Sequence, residues 1–138
     1  MAITRHESSV LWSSSYSANV TAGGTQTSDV LALDATCVNA QVTLKADNST
    51  TAASDDIIHF WLLQSAGDPD GDEVGDEYDT PEHATLLAVL NTSDEDPAIR
   101  TVTLPLPQKG IKIYAEGATS GTTNTIAVSA VVAEQRAA

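Results

Sequence analysis

Positive charge is scarce in this chain: six Lys and Arg stand against nineteen Asp and Glu, for a net charge of −13. Binding to nucleic acid rests on cations that neutralise phosphates, so this imbalance speaks against such a partner. It disfavours anionic membrane surfaces for the same reason. Cys37 is the single cysteine, which rules out an internal disulfide. On an alternating β-stretch it reads as a small core residue and not as a nucleophile. Aromatics are few: Trp12, Trp61, Tyr16, Tyr78, Tyr114 and Phe60. Thin β-layers with small side chains are expected in place of a thick aromatic core. No apolar stretch reaches the roughly 18 residues that a membrane-spanning helix needs. The opening MAITRHESSV is charged and has no apolar run of signal-peptide length. A protein made in a cytoplasm, without a visible export signal, is expected. On that expectation the sequons at Asn19, Asn48 and Asn91 carry little weight.

Catalytic signatures are missing too. There is no GxSxG elbow, HExxH, Gly-rich phosphate loop or CxxC pair. His6, His59 and His83 are scattered, and His59 on an apolar run reads as a core or interface residue. The acids Asp55-Asp56 and Asp94-Glu95-Asp96 would suit two-carboxylate glycoside chemistry. Without aromatic platforms beside them they read as solvated loop charge. A binding or structural module is expected, and not an enzyme.

What is present is a period of two. Val38, Ala40, Val42, Leu44 and Ala46 alternate with Asn39, Gln41, Thr43 and Lys45, the pattern of a half-buried strand. Val102, Leu104 and Leu106 repeat it, as do Ile126, Val128, Ala130 and Val132. The run from Ile57 to Leu63 is apolar on both faces, which suits a central strand. Further strands are expected over 10–16, 25–33, 86–90 and 111–115, with a competing helical turn at 81–87. Turn signals fall between them, such as Gly23-Gly24, Asp47-Asn48-Ser49 and Gly117–Gly121. About eight short strands in 138 residues fit one all-β domain, 1–138, built as an antiparallel β-sandwich of jelly-roll kind. The segments 1–9 and 134–138 read as terminal extensions that reach to neighbouring subunits, or as frayed tails.

The densest charge is DPDGDEVGDEYD, residues 68–79, with seven carboxylates in twelve positions. Calcium takes about six to eight oxygens, which acidic loops supply around a tight turn. Counted from Asp68, acids stand at positions 1, 3, 5, 9 and 12. Over these twelve residues the pattern resembles the calcium loops of thrombospondin type-3 repeats. It departs from them at position 6, where Glu73 replaces the glycine that frees the turn. The resemblance implies a calcium site on Asp68, Asp70, Asp72, Asp76 and Asp79. The residues alone leave open a solvated hairpin loop with no cofactor.

Longer stretches carry a second resemblance: Trp12 with ANVTAGGTQTSDVLAL, GDPDGDEVGDEYDT, RTVTLPLPQKGIKIYAEG and IAVSAVVAEQR. Together they resemble small virion structural proteins of tailed bacteriophages. The resemblance implies a head decoration or cement protein, present in many symmetric copies or as a homo-oligomer. Its partners would be the major capsid protein or other virion proteins, and its location the virion. A tail or fibre-attachment part is the alternative within that class. A calcium-dependent carbohydrate- or adhesion-binding module is the alternative from another class. It would need exposed aromatics, whereas Trp61 on its apolar strand reads as core.

Overall fold

The computed structural model describes residues 2–21, 23–48, 56–67, 78–117 and 124–137. Its strands are β1 (Ile3–Ser9), β2 (Ala18–Val20), β3 (Thr25–Thr27), β4 (Leu31–Ala32) and β5 (Cys37–Asn48). They continue with β6 (Ile57–Ser65), β7 (Thr85–Asn91), β8 (Ala98–Thr103), β9 (Gly110–Gly117) and β10 (Ile126–Ala137). A 3-10 turn, Pro81–His83, precedes β7, so the helical turn and the strand that competed for this stretch both form.

The strands make two antiparallel sheets. The first runs β1-β10-β5-β8, with β2 pairing further along β10; the second runs β3-β9-β6-β7, with β4 pairing further along β9. Taking β1 with β2, and β3 with β4, as single positions leaves eight positions that cross between sheets in the jelly-roll order. The expected all-β sandwich is therefore the fold. Its centre is the β5–β10 pair, in register from Ile126↔Asn48 to Glu134↔Ala40. Alternation puts Ala40, Val42, Leu44, Ala46, Val128, Ala130 and Val132 on the inner face, all buried. Ile58, Phe60, Leu62, Ile111, Ile113 and Ala115 of the second sheet are buried against them. Phe60 is the largest fully buried side chain among the described residues. Ala88 and Ala115 stand opposite it on the neighbouring strands.

Three local expectations are corrected. Residues 10–16 are not a strand: Trp12 and Ser15 form one isolated bridge around a tight turn. Ser13 and Ser14 have positive φ there, and the Asp29 carboxylate accepts both of their N–H groups. The turn joins β1 to β2 within the first sheet and swings Trp12 into the core, 3% exposed. The 25–33 stretch divides into β3 and β4 at Ser28-Asp29, where Ser28 Oγ accepts the Ile113 N–H at 2.8 Å and the Asp29 N–H turns to Leu11 O. Finally, the terminal segments pair with each other, from Ile3↔Ala137 to Ser9↔Val131.

Candidate binding face

Strand β6 is apolar on both sides, and the register assigns those sides. Ile58, Phe60 and Leu62 look inward, so His59, Trp61 and Leu63 look outward. On that outer face His59 stands between Glu116 and Val89, and Trp61 between Tyr114 and Leu86. A bulge in the β6–β7 ladder between Phe60 and Trp61 brings Leu86 opposite the indole. Thr25 and Thr27 of β3 extend the two rows, opposite Glu116 and Tyr114. Trp61 is therefore not a core residue. It is half-buried beside Tyr114, and Leu86 and Val89 next to them are 47% and 43% exposed.

One end of this face is covered by the chain itself. The Asp79 N–H bonds to Gln64 O at 3.1 Å, which brings the returning segment back onto β6. Lys112 Nζ lies 5.1 Å from the centre of the Tyr78 ring. Tyr78 Oη occupies the space that a Cβ at Gly110 would need, so glycine is required there. Leu63, opposite Lys112, is 4% exposed. Among the described residues the cover stops short of Trp61 and Tyr114. His59 is half-buried here, and its Nδ1 is shielded with no hydrogen-bond partner among the described residues.

The outer face of the first sheet differs. It presents Gln41, Thr43, Thr101 and Thr103 with Val131 and Ile99, and Thr43 Oγ1 lies 2.8 Å from Thr101 Oγ1. Arg5, Lys45, Glu7 and Asp47 balance one another there, so this face is a neutral, largely hydroxylic surface.

Of the proposed calcium ligands, Asp68, Asp70, Asp72 and Asp76 lie outside the described residues. Asp79 is exposed. Among the described residues no group of three or more His, Cys, Asp or Glu is placed to hold a metal ion. His6, His59 and His83 are not brought together.

Two acids behave otherwise than their loop-like sequence suggests. Asp56, read as solvated charge, is fully buried. Its Oδ2 accepts Asn48 Nδ2 at 3.0 Å and Asn124 Nδ2 at 2.7 Å. Thr92 Oγ1 donates to Asp56 O at 2.9 Å and accepts from Asn48 Nδ2 at 3.1 Å. The cluster ties the ends of β5, β6, β7 and β10 together, so it has a structural role. Glu134 continues the inward row of β10 and is 1% exposed. Arg136 Nη2 reaches its Oε1 at 2.8 Å and the Asp34 N–H its Oε2 at 3.0 Å. Burial alone would raise the Glu134 pKa, but the Arg136 and Asp34 hydrogen bonds outweigh it and hold it below the ordinary value. Burial and the neighbouring Glu134 push the Cys37 thiol up. Cys37 lines a cleft of about 230 Å³ with Asp34, Leu106, Pro107 and Lys109, and a protonated thiol there is inert.

Fold and face together define a jelly-roll sandwich with one exposed aromatic–aliphatic sheet face. No protein-family model and no curated protein matches the sequence. Solved structures similar to the chain include the following two. The periplasmic inhibitor of g-type lysozyme, PliG, from Aeromonas hydrophila aligns at 16% identity and a TM-score of 0.47, over 94% of this chain and 87% of its own. The Yersinia pseudotuberculosis-derived mitogen aligns at 6% identity and a TM-score of 0.42, over 99% and 86%. Likeness at this level has no bearing on function.

Proposed function

We propose that the protein is a non-catalytic attachment module of the virion, a decoration or cement protein that seats the outer face of its second sheet on the capsid surface. The observation that carries this reading is the group of Trp61, Tyr114, Leu86 and Val89, which the described residues leave uncovered. Tyr and Trp anchors amid aliphatic side chains are the composition of an interface centre. The fold does not choose the partner, since jelly rolls serve many roles. Charge narrows it: the chain carries a net charge of −13, and Glu116 stands on this face opposite His59. The complementary surface is basic at its rim and apolar at its centre.

A mass-calibrated map of virions from the genome that encodes this chain tests the reading. Copies in the hundreds on the head support it, a handful at the tail supports the fibre-attachment alternative, and none refutes both. Replacing Leu86→Glu and Val89→Glu together should remove the protein from the particle, weakening binding about 100-fold or more while the fold is retained.

The Trp61–Tyr114 pair also favours one second reading, a carbohydrate- or adhesion-binding face on which a sugar ring stacks. That reading predicts quenching of Trp61 fluorescence by a soluble glycan, and loss of the effect with chelator if calcium takes part. Quenching without particle binding would replace the virion assignment.

A further inference from the structure

Strand β1 is one edge of the first sheet, with β8 at the other: it pairs with β10 on one side, and no described residue pairs with its other side. Edges of this kind are usually protected by charged side chains, proline, a bulge or a cover. Of these β1, ITRHESS, shows only the charges of Arg5 and Glu7, and six of its seven residues are exposed. Thr4 and His6, which point to the side where the second sheet lies, are among them. β1 thus projects past the second sheet like a flange.

The hydrogen-bonding parity of this edge follows from one bond. The Val10 N–H donates to Ala130 O at 2.9 Å, one step beyond the Ser9↔Val131 pair. Backbone groups alternate sides along a strand, so Ser8, His6 and Thr4 also bond to β10. Ile3, Arg5, Glu7 and Ser9 then direct their N–H and C=O groups outward.

We propose that two copies of this chain dimerise through β1, paired antiparallel about a two-fold axis at His6. An antiparallel self-pairing must bring outward-facing residues opposite one another. Centred on Arg5 or on Glu7, it would set like charges face to face. Centred on Thr4 or Ser8, it would leave most of the strand unpaired. Centred on His6, it pairs the whole strand: Ile3 with Ser9, and Arg5 with Glu7, each twice. Arg5 and Glu7 already bond within one chain, Arg5 Nη2 to Glu7 Oε1 at 2.7 Å, with both side chains mostly exposed. Across the axis each exchanges this partner for its equivalent in the other copy. The charges that would blunt the edge against other strands therefore fit it to its own copy.

The pairing joins the two first sheets into one continuous sheet. The axis of an antiparallel pair is perpendicular to the sheet, so both second sheets lie on the same side. The two Trp61–Tyr114 faces then look the same way, and a dimer would engage a repeating surface with two contacts at once. Dimerisation itself does not depend on what those faces bind.

The test is sedimentation equilibrium of the full chain up to submillimolar concentration, with circular dichroism to confirm that each variant keeps its fold. Wild type should form a dimer, and Arg5→Glu and Glu7→Arg should each raise the dimer Kd about tenfold by setting like charges opposite one another. The swap Arg5→Glu with Glu7→Arg should recover wild-type association. Hydrogen exchange supplies a second readout: the Arg5, Glu7 and Ser9 amides should slow with protein concentration, while Thr4, His6 and Ser8 are protected at every concentration. A monomer throughout the range, single variants that associate like wild type, a swap that does not recover, or concentration-independent exchange would each overturn the proposal.

Discussion

Phe60 and Trp61 are adjacent in sequence, yet the register puts them on opposite faces of the same strand, and their replacement by alanine should separate cleanly. Phe60 is the largest fully buried side chain among the described residues. Ala88 and Ala115 flank it across the ladder, and alanines have no side-chain length with which to fill the space. Phe60→Ala should therefore cost near the upper part of the usual range, about 3–5 kcal/mol. Against a total of about 5–15 kcal/mol for a domain, that is a large fraction. With a urea slope of about 1–3 kcal/mol per molar, the midpoint should fall by about 2 M. Trp61→Ala removes a half-buried ring from the outer face and should cost about 1–2 kcal/mol. The assay is urea unfolding, followed by circular dichroism and by fluorescence of the buried Trp12. A loss below about 1.5 kcal/mol for Phe60→Ala, or equal losses for the two variants, would refute the assignment of faces and the candidate site with it.

Other consequences are checked by similar means. Glu134 has a folded pKa below its ordinary 4.5, so the stability it contributes is complete above that pH and is lost as pH falls through the folded value. Glu134→Gln should flatten that part of the profile of Tm between pH 3 and 6, and an unchanged profile would contradict its pairing with Arg136. Thr92→Val removes the hydroxyl that bonds both Asp56 and Asn48 and should cost about 1–3 kcal/mol, whereas Thr92→Ser should retain most of the stability in the same urea assay. Cys37, its thiol pushed up by burial, should react with iodoacetamide far more slowly in the native protein than in urea. Equal rates would place the thiol in solvent.

The class of fold was legible because it depends on a local property. Alternation in 38–46, 102–106 and 126–132 forces one side of each strand out of water, and closely spaced turn residues leave no room for helices. What the alternation could not carry was anything set by a partner distant in sequence. Residues 1–9 look like a tail because β1 has no apolar face, and it is β10, more than a hundred residues away, that makes them a strand. The sequence puts Trp12 on a strand, but it reaches the core by a turn that the Asp29 carboxylate holds.

The candidate face was hidden for a related reason. In the run from Ile57 to Leu63 both sides are apolar, so composition cannot say which side is inner, and Trp61, the larger ring, was the natural choice for the core. Pairing with β7 and β9 made the choice by placing Phe60 among alanines and turning Trp61 out beside Tyr114. Asp56 and Glu134 are the same lesson in charge. A carboxylate in a polar stretch looks solvated until the fold brings Asn48, Asn124 and Arg136 to it. Periodicity along one strand determines that sheets form and which strands can pack. Only the register between strands decides which side chains are left facing outward, because that depends on neighbours the local sequence does not contain.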